Sequence, residues 1–173
     1  MPLFADVIVV LALVAVAIVA TVSSRKVRQV NRRFRLLDEI SRVADEGRSL
    51  DETLDAIAKI IVPELGDICA IDVIEGDRVR RAAMEADGPD AAAIVEGLMA
   101  RGPRLQEQIA SDASRERQEP RRFELRSDAD LREFASDEED LQFLRGLGVH
   151  SGVTVELRAR GRPTGVLTIS VGP

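Results

Sequence analysis

The stretch Val153-Thr154-Val155-Glu156-Leu157-Arg158-Ala159-Arg160-Gly161-Arg162-Pro163-Thr164-Gly165-Val166-Leu167-Thr168-Ile169-Ser170-Val171 reads as two strands and the turn between them. Val153, Val155 and Leu157 alternate with Thr154, Glu156 and Arg158, the period-two pattern of a strand with one buried face. On the return, Leu167, Ile169 and Val171 point one way, Thr168 and Ser170 the other. Arg160-Gly161-Arg162-Pro163 carries the turn chemistry. A lone hairpin is marginal in water, so this one must complete a sheet built from earlier segments.

Those segments are legible upstream. Ile68-Cys69-Ala70-Ile71 and Val73-Ile74 form a nearly continuous apolar run broken by Asp72, as expected of an interior strand covered on both faces. Gly76-Asp77 is a turn signal, and Arg78 to Ala86 returns as a more polar strand. Phe123-Glu124-Leu125 is a further short strand. Helical segments alternate with these. Ser49 with Glu52 three residues on is a capping box, and Leu54, Ile57, Ala58 and Ile61 make one face of a helix ending near Pro63 and Gly66. Gly88-Pro89 and Gly102-Pro103 punctuate two short helices, Ala91 to Ala100 and Leu105 to Ala113, and Ser114 to Pro120 is a charged loop. A second capping box, Ser136 with Glu139, opens a helix from Asp137 to Leu147. The sum is an α+β domain, an antiparallel sheet flanked by helices.

The start of the chain has a different character. Leu3 to Val22 holds one charge, Asp6, and one hydroxyl, Thr21. As a helix it would be roughly 30 Å long, the thickness of a bilayer core. A secretory signal wants basic residues before its apolar run, whereas here Arg25, Lys26, Arg28, Arg32, Arg33 and Arg35 all follow it. The reading is a single transmembrane anchor over residues 1–24, its basic flank placing everything after it in the cytoplasm. The same flank suits anionic headgroups. Residues 25–46 form a helical linker, with Val27, Val30, Phe34, Leu37, Ile40 and Ala44 at spacings of three and four, which points to a homodimer. Ser41 interrupts any strict heptad. Gly47 closes the linker, and residues 47–173 make the folded domain.

Composition narrows the chemistry. Residues 36–173 hold 18 of the 24 basic and 29 of the 30 acidic side chains, a balance that argues against nucleic acid. The single cysteine, Cys69, excludes an intramolecular disulfide and a multi-cysteine zinc site, and the single histidine, His150, excludes a histidine cluster. With no Trp, no Tyr and five Phe, base-stacking platforms are also excluded. Asp137, Glu138, Glu139 and Asp140 form an acidic cluster, read as first-turn residues favoured by the helix dipole rather than as a metal site. No catalytic, metal or cofactor site follows from these residues.

Two blocks carry a family resemblance. The first runs from Gly47-Arg48-Ser49-Leu50-Asp51-Glu52-Thr53-Leu54 through Ile60-Ile61-Val62-Pro63-Glu64-Leu65-Gly66-Asp67 into Ile68-Cys69-Ala70-Ile71-Asp72-Val73. The second is Leu144-Arg145-Gly146-Leu147-Gly148-Val149-His150-Ser151 with Val155-Glu156-Leu157-Arg158-Ala159-Arg160-Gly161 and Gly165-Val166-Leu167-Thr168. Together they resemble a GAF domain of the bacterial signalling type, across about half of the cytoplasmic part, and the middle, residues 87–126, has no match. The resemblance implies a non-catalytic sensory or regulatory module that binds an unidentified small ligand or a signalling partner, with a histidine kinase or a serine/threonine phosphatase as partner. The alternative is a structural adaptor that recruits such a partner without a ligand.

The family's chemical variants are not matched. The Asn-Lys-Phe-Asp-Glu signature of cyclic-nucleotide binders has no counterpart. Cys69 lacks the aromatic and histidine neighbours of a bilin attachment site and reads as a small buried hydrophobe. His150, the one candidate haem ligand, reads as a turn residue after Gly148. Sulfoxide reduction needs several cysteines. The resemblance also implies a C-terminal helix after the sheet, and Pro173 falls where it should begin. Either the chain is a fragment or the linker helix acts alone.

Overall fold

The computed structural model describes residues 34–103 and 120–172. The expected anchor at Leu3 to Val22, the first part of the linker, the helix at Leu105 to Ala113 and most of the charged loop after it lie outside the described residues. Among the described residues no helix is long and apolar enough to cross a membrane. Two compact units meet between Arg42 and Val43. Of the first, the described part is helical and belongs to α1, residues 34–45, on which Phe34 and Leu37 are exposed.

The second unit is built on one antiparallel sheet. Its strands are β1 (Ile68–Glu75), β2 (Arg78–Ala86), β3 (Arg121–Glu124), β4 (Ser151–Ala159) and β5 (Arg162–Val171), in the order β2-β1-β5-β4-β3. Its helices are α2 (Leu50–Leu65), α3 (Ala91–Arg101), α4 (Asp128–Phe134) and α5 (Glu138–Gly146). The closing hairpin therefore places β5 at the centre and β4 beside it, with the first hairpin on one flank and short β3 on the other.

The expected capping box opens α2: the Ser49 hydroxyl accepts from the Glu52 N–H, and the Glu52 carboxylate accepts from the Ser49 N–H at 3.0 Å. Ala58, Ile61 and Val62 are its buried stripe, and α2 packs on β1 and β2. The helix ends where expected, at Leu65 with Gly66 as its C-cap, and Pro63 stands inside its last turn. Pro63 gives up the N–H bond to the carbonyl four residues back, and the Gly66 N–H closes the end of the helix on Val62 O.

Three expectations shift. The face of β4 carrying Val153, Val155 and Leu157 is half-buried, and the buried residue on that strand is Thr154. The reason is placement: α2 covers β1 and β2, whereas β4 buries its other face beside β5, where the Thr154 and Thr168 hydroxyls meet at 3.4 Å. The hairpin turn is only Arg160-Gly161, both with positive φ, and Arg162 and Pro163 already belong to β5. The helix expected from Ser136 starts one residue later, with Asp137 as N-cap accepting from the Asp140 N–H. A capped helix α4, opened by Ser127 and Asp130, was not read from the sequence at all.

Candidate functional site

Alternation along the strands sends Ile68 and Ala70 of β1 to the sheet face opposite Cys69 and Ile71. In register, Ala70 stands between Met84 and Thr168, and Ile68 stands opposite Ser170. Between Ile71 and Asp72 the pairing slips, so that Ile71 faces Ala83 while Asp72 faces Arg81, leaving Ala82 as an extra residue. That bulge reverses the facing of the strand beyond it. Arg81 joins Met84 on the face of Ile68 and Ala70, and Arg80 turns to the α2 side, where it binds Asp51 and Glu75.

Above this floor lies a cavity of about 160 Å³. Leu98 and Arg101 enter it from α3, Phe123 and Leu125 from β3 and its exit, Leu131 and Phe134 from α4. Asp140 and Leu144 of α5, with Leu147 and Val149 beyond it, close the ring. The Phe123 and Phe134 rings meet at 5.9 Å between centroids, tilted by 47°. Two glycines permit the close packing that shapes the wall. A Cβ on Gly97 would overlap the Phe143 ring, and one on Gly152 would overlap Phe123.

One buried and one half-buried ion pair bracket the polar side. Arg81 Nε donates to Asp72 Oδ1 at 3.0 Å, with the Asp72 side chain 0% and the Arg81 side chain 7% exposed. Arg101 Nε donates to Asp140 Oδ1 at 2.7 Å, and Arg101 Cζ lies 3.7 Å from the centre of the Phe143 ring. Both guanidinium groups also bind carbonyls in the last turn of α3, Arg81 on Leu98 O and Arg101 on Gly97 O, each at 2.9 Å. Cations suit that end of the helix dipole. The outcome is that α3 is tied to the sheet through Asp72 and to α5 through Asp140.

The two carboxylates respond differently. Burial pushes the Asp72 carboxyl above its usual range, against the pull of Arg81, and its Oδ2 has no partner among the described residues. At Asp140 burial acts upward too, but the Ser136 N–H, the Arg101 guanidinium and the Ser136 hydroxyl outweigh it and hold the group below the carboxylate norm. A third carboxylate, Glu156, faces the same side of the sheet, bound by Arg158, its Oε2 without a partner among the described residues.

The residues singled out in the sequence fall elsewhere. Cys69 is fully buried on the opposite face of β1, where burial, then the Asp72 and Glu85 charges, push its thiol up to about 12. Such a thiol is no nucleophile. His150 is exposed between α5 and β4, with Nδ1 3.0 Å from Ser151 Oγ, and does not line the cavity. Of the acidic cluster, Asp137 is the cap, Glu138 and Glu139 lie outside, and Asp140 alone enters the cavity wall. Among the described residues no group of His, Cys, Asp or Glu gathers as a metal-holding set. Arg81, Arg101 and Asp140 were not read as site residues. One signal pointed to the first: a charge inside an apolar strand, Asp72, demands a buried partner.

By sequence the chain matches no family model and no curated protein. By structure it has the GAF fold. It superposes on the nlh2 GAF domain of A. aeolicus with a TM-score of 0.55, at 15% identity, over 82% of this chain and 80% of that one. The GAF domain of a candidate sensor histidine kinase from Pseudomonas syringae pv. tomato gives 0.54, at 11% identity, over 87% and 77%. A phycocyanobilin-bound GAF domain from a cyanobacterial phytochrome gives 0.51, at 13% identity, over 80% and 79%.

Proposed function

We propose that this chain is a non-catalytic sensory module that binds a small ligand between the sheet and α3, α4 and α5, and signals to a partner protein. The observation that carries this reading is the cavity: about 160 Å³, apolar on most sides, with two paired arginines on its wall. Binding pockets combine an apolar lining with a few placed polar groups in this way. Pockets for drug-sized ligands measure roughly 300–1,000 Å³, so the ligand here is smaller. One fold neighbour is a phycocyanobilin-bound domain and another belongs to a candidate sensor kinase, which supports a sensory use of the fold.

The mechanism follows from the ties on α3. A ligand in the cavity touches Leu98 and Arg101 and so bears on the helix that Arg81 and Arg101 hold to sheet and α5. Movement of α3 is then the first consequence of occupancy. The partner we favour is a cytoplasmic histidine kinase or serine/threonine phosphatase, met at a membrane to which Leu3 to Val22 anchors the chain. Phe34 and Leu37, exposed on α1, support pairing with a second copy.

Mass spectrometry of small molecules released on denaturing the purified full-length chain tests the reading. The expected result is one compound near stoichiometry, lost in Ala70→Leu, which fills the floor. An empty wild-type chain that Ala70→Leu stabilises would show an unused void and leave the adaptor reading in its place.

A further inference from the structure

We infer that the cavity takes a small monocarboxylate of about six to eight carbons in all, its carboxylate seated on the open edge of Arg101. The inference rests on the reading of the cavity as a ligand site and adds the chemical class.

Size sets the body. A dry cavity of about 150 Å³ lined by Leu, Ile and Phe accommodates benzene, and this one is about 160 Å³. Leu131, Phe134, Leu144 and Leu147 give it the same kind of wall.

Charge sets the head. Among the described residues the ionisable groups on the wall are Arg81, Arg101 and Asp140. Asp72, which balances Arg81, sits behind the wall and is not part of the lining. Each arginine therefore stands beside one carboxylate, Asp72 or Asp140, and the head of a ligand is set by the donors these pairs leave open. Hydrogen bonding then selects between the two arginines. Arg81 is 7% exposed and held by Asp72 and Leu98 O. Arg101 commits Nε to Asp140 and Nη1 to Gly97 O, while its Nη2 has no partner among the described residues. The Arg101 side chain is 25% exposed and lines the cavity, within reach of a ligand. A guanidinium edge presents its donors in the plane that a carboxylate accepts. The Ser170 hydroxyl, also without a partner among the described residues, lines the floor and offers one further bond. One open edge serves one carboxylate, which makes a dicarboxylate a poor occupant.

The test compares hexanoate with hexanamide, which has the same chain and a neutral head, by equilibrium dialysis against the full-length chain in lipid nanodiscs, with empty nanodiscs subtracted. Hexanoate is expected to bind one site per chain at least tenfold more tightly than the amide. In Arg101→Gln the gap should fall below twofold, with the circular dichroism spectrum and melting curve of the same preparation as the separate check that the variant is folded. Arg101→Lys should keep part of the preference. Equal affinities in wild type, or a preference that survives Arg101→Gln, overturn the carboxylate. In that case amide binding that disappears in Ala70→Leu still supports a ligand cavity. Failure of both probes to bind overturns the inference, and an absence of any released compound then removes the sensory reading as well.

Discussion

Arg81 reaches Asp72 because one extra residue, Ala82, turns the strand over. Without that bulge Arg80 would face the cavity and Asp72 would be a buried charge with no counter-ion. Breaking a buried pair from one side costs about 3–5 kcal/mol, because the remaining charge is stranded. Arg81→Met is therefore expected to destabilise the domain by about that much at neutral pH. The pH dependence has a definite sign. The folded-state pKa of Asp72 lies above its ordinary value of 3.8. Its contribution to stability is thus fully present below 3.8 and lost as pH rises through the folded value. Removing Arg81 raises that folded value further. Urea denaturation of both proteins should show the deficit of Arg81→Met shrinking as pH is lowered from 7 towards 4. A deficit that stays constant over that range would mean that Asp72 is not the stranded group.

Helix α3 has no buried residue of its own, so packing alone does not hold it. What fixes it is a pair of arginines on its last carbonyls and the close contact of Gly97 with Phe143, whose ring Arg101 covers. Gly97→Ala should gain roughly 1 kcal/mol of helix propensity. Against that, overpacking at a ring that cannot retreat costs about 1–3 kcal/mol. The net expectation is a lower melting temperature, partly recovered in Gly97→Ala/Phe143→Leu, where the ring is gone. A double variant no more stable than Gly97→Ala would show that the contact does not limit the approach of α3 to α5. The helix caps belong to this scale as well. Ser49 with Glu52 was read correctly because the pattern lies within four residues. Ser136 was read as a cap because Glu139 sits three residues on, yet its N–H and hydroxyl both serve Asp140, and Asp137 caps instead. Two overlapping local patterns competed there, and the salt bridge from Arg101 to Asp140 accompanies the one that won.

For the whole molecule, the amphipathic domain and the apolar start of the chain make different demands on solvent. Twenty residues with one charge suit a bilayer, and the six basic residues after them suit its cytoplasmic side. The full chain is expected in the membrane fraction and a chain lacking residues 1–24 outside it. Protease added to intact spheroplasts should leave residues 25–173 uncut, and inverted vesicles should expose them. Cleavage in spheroplasts would reverse the orientation.

Sequence by itself determined the elements whose signals are local. The closing hairpin, the continuous run of β1, the Gly76-Asp77 turn and the capped start of α2 each follow from spacings of a few residues, and together they sufficed for an antiparallel α+β domain, to which the family resemblance added the GAF type. Tertiary structure alone decided the site. Arg81, Arg101 and Asp140 come from a strand and two helices with no sequence relation among them, and a single bulge chooses which arginine faces inward. A periodic pattern reports which face of an element is apolar. It does not report what packs on that face, and ion pairs across elements exist only once that packing is fixed.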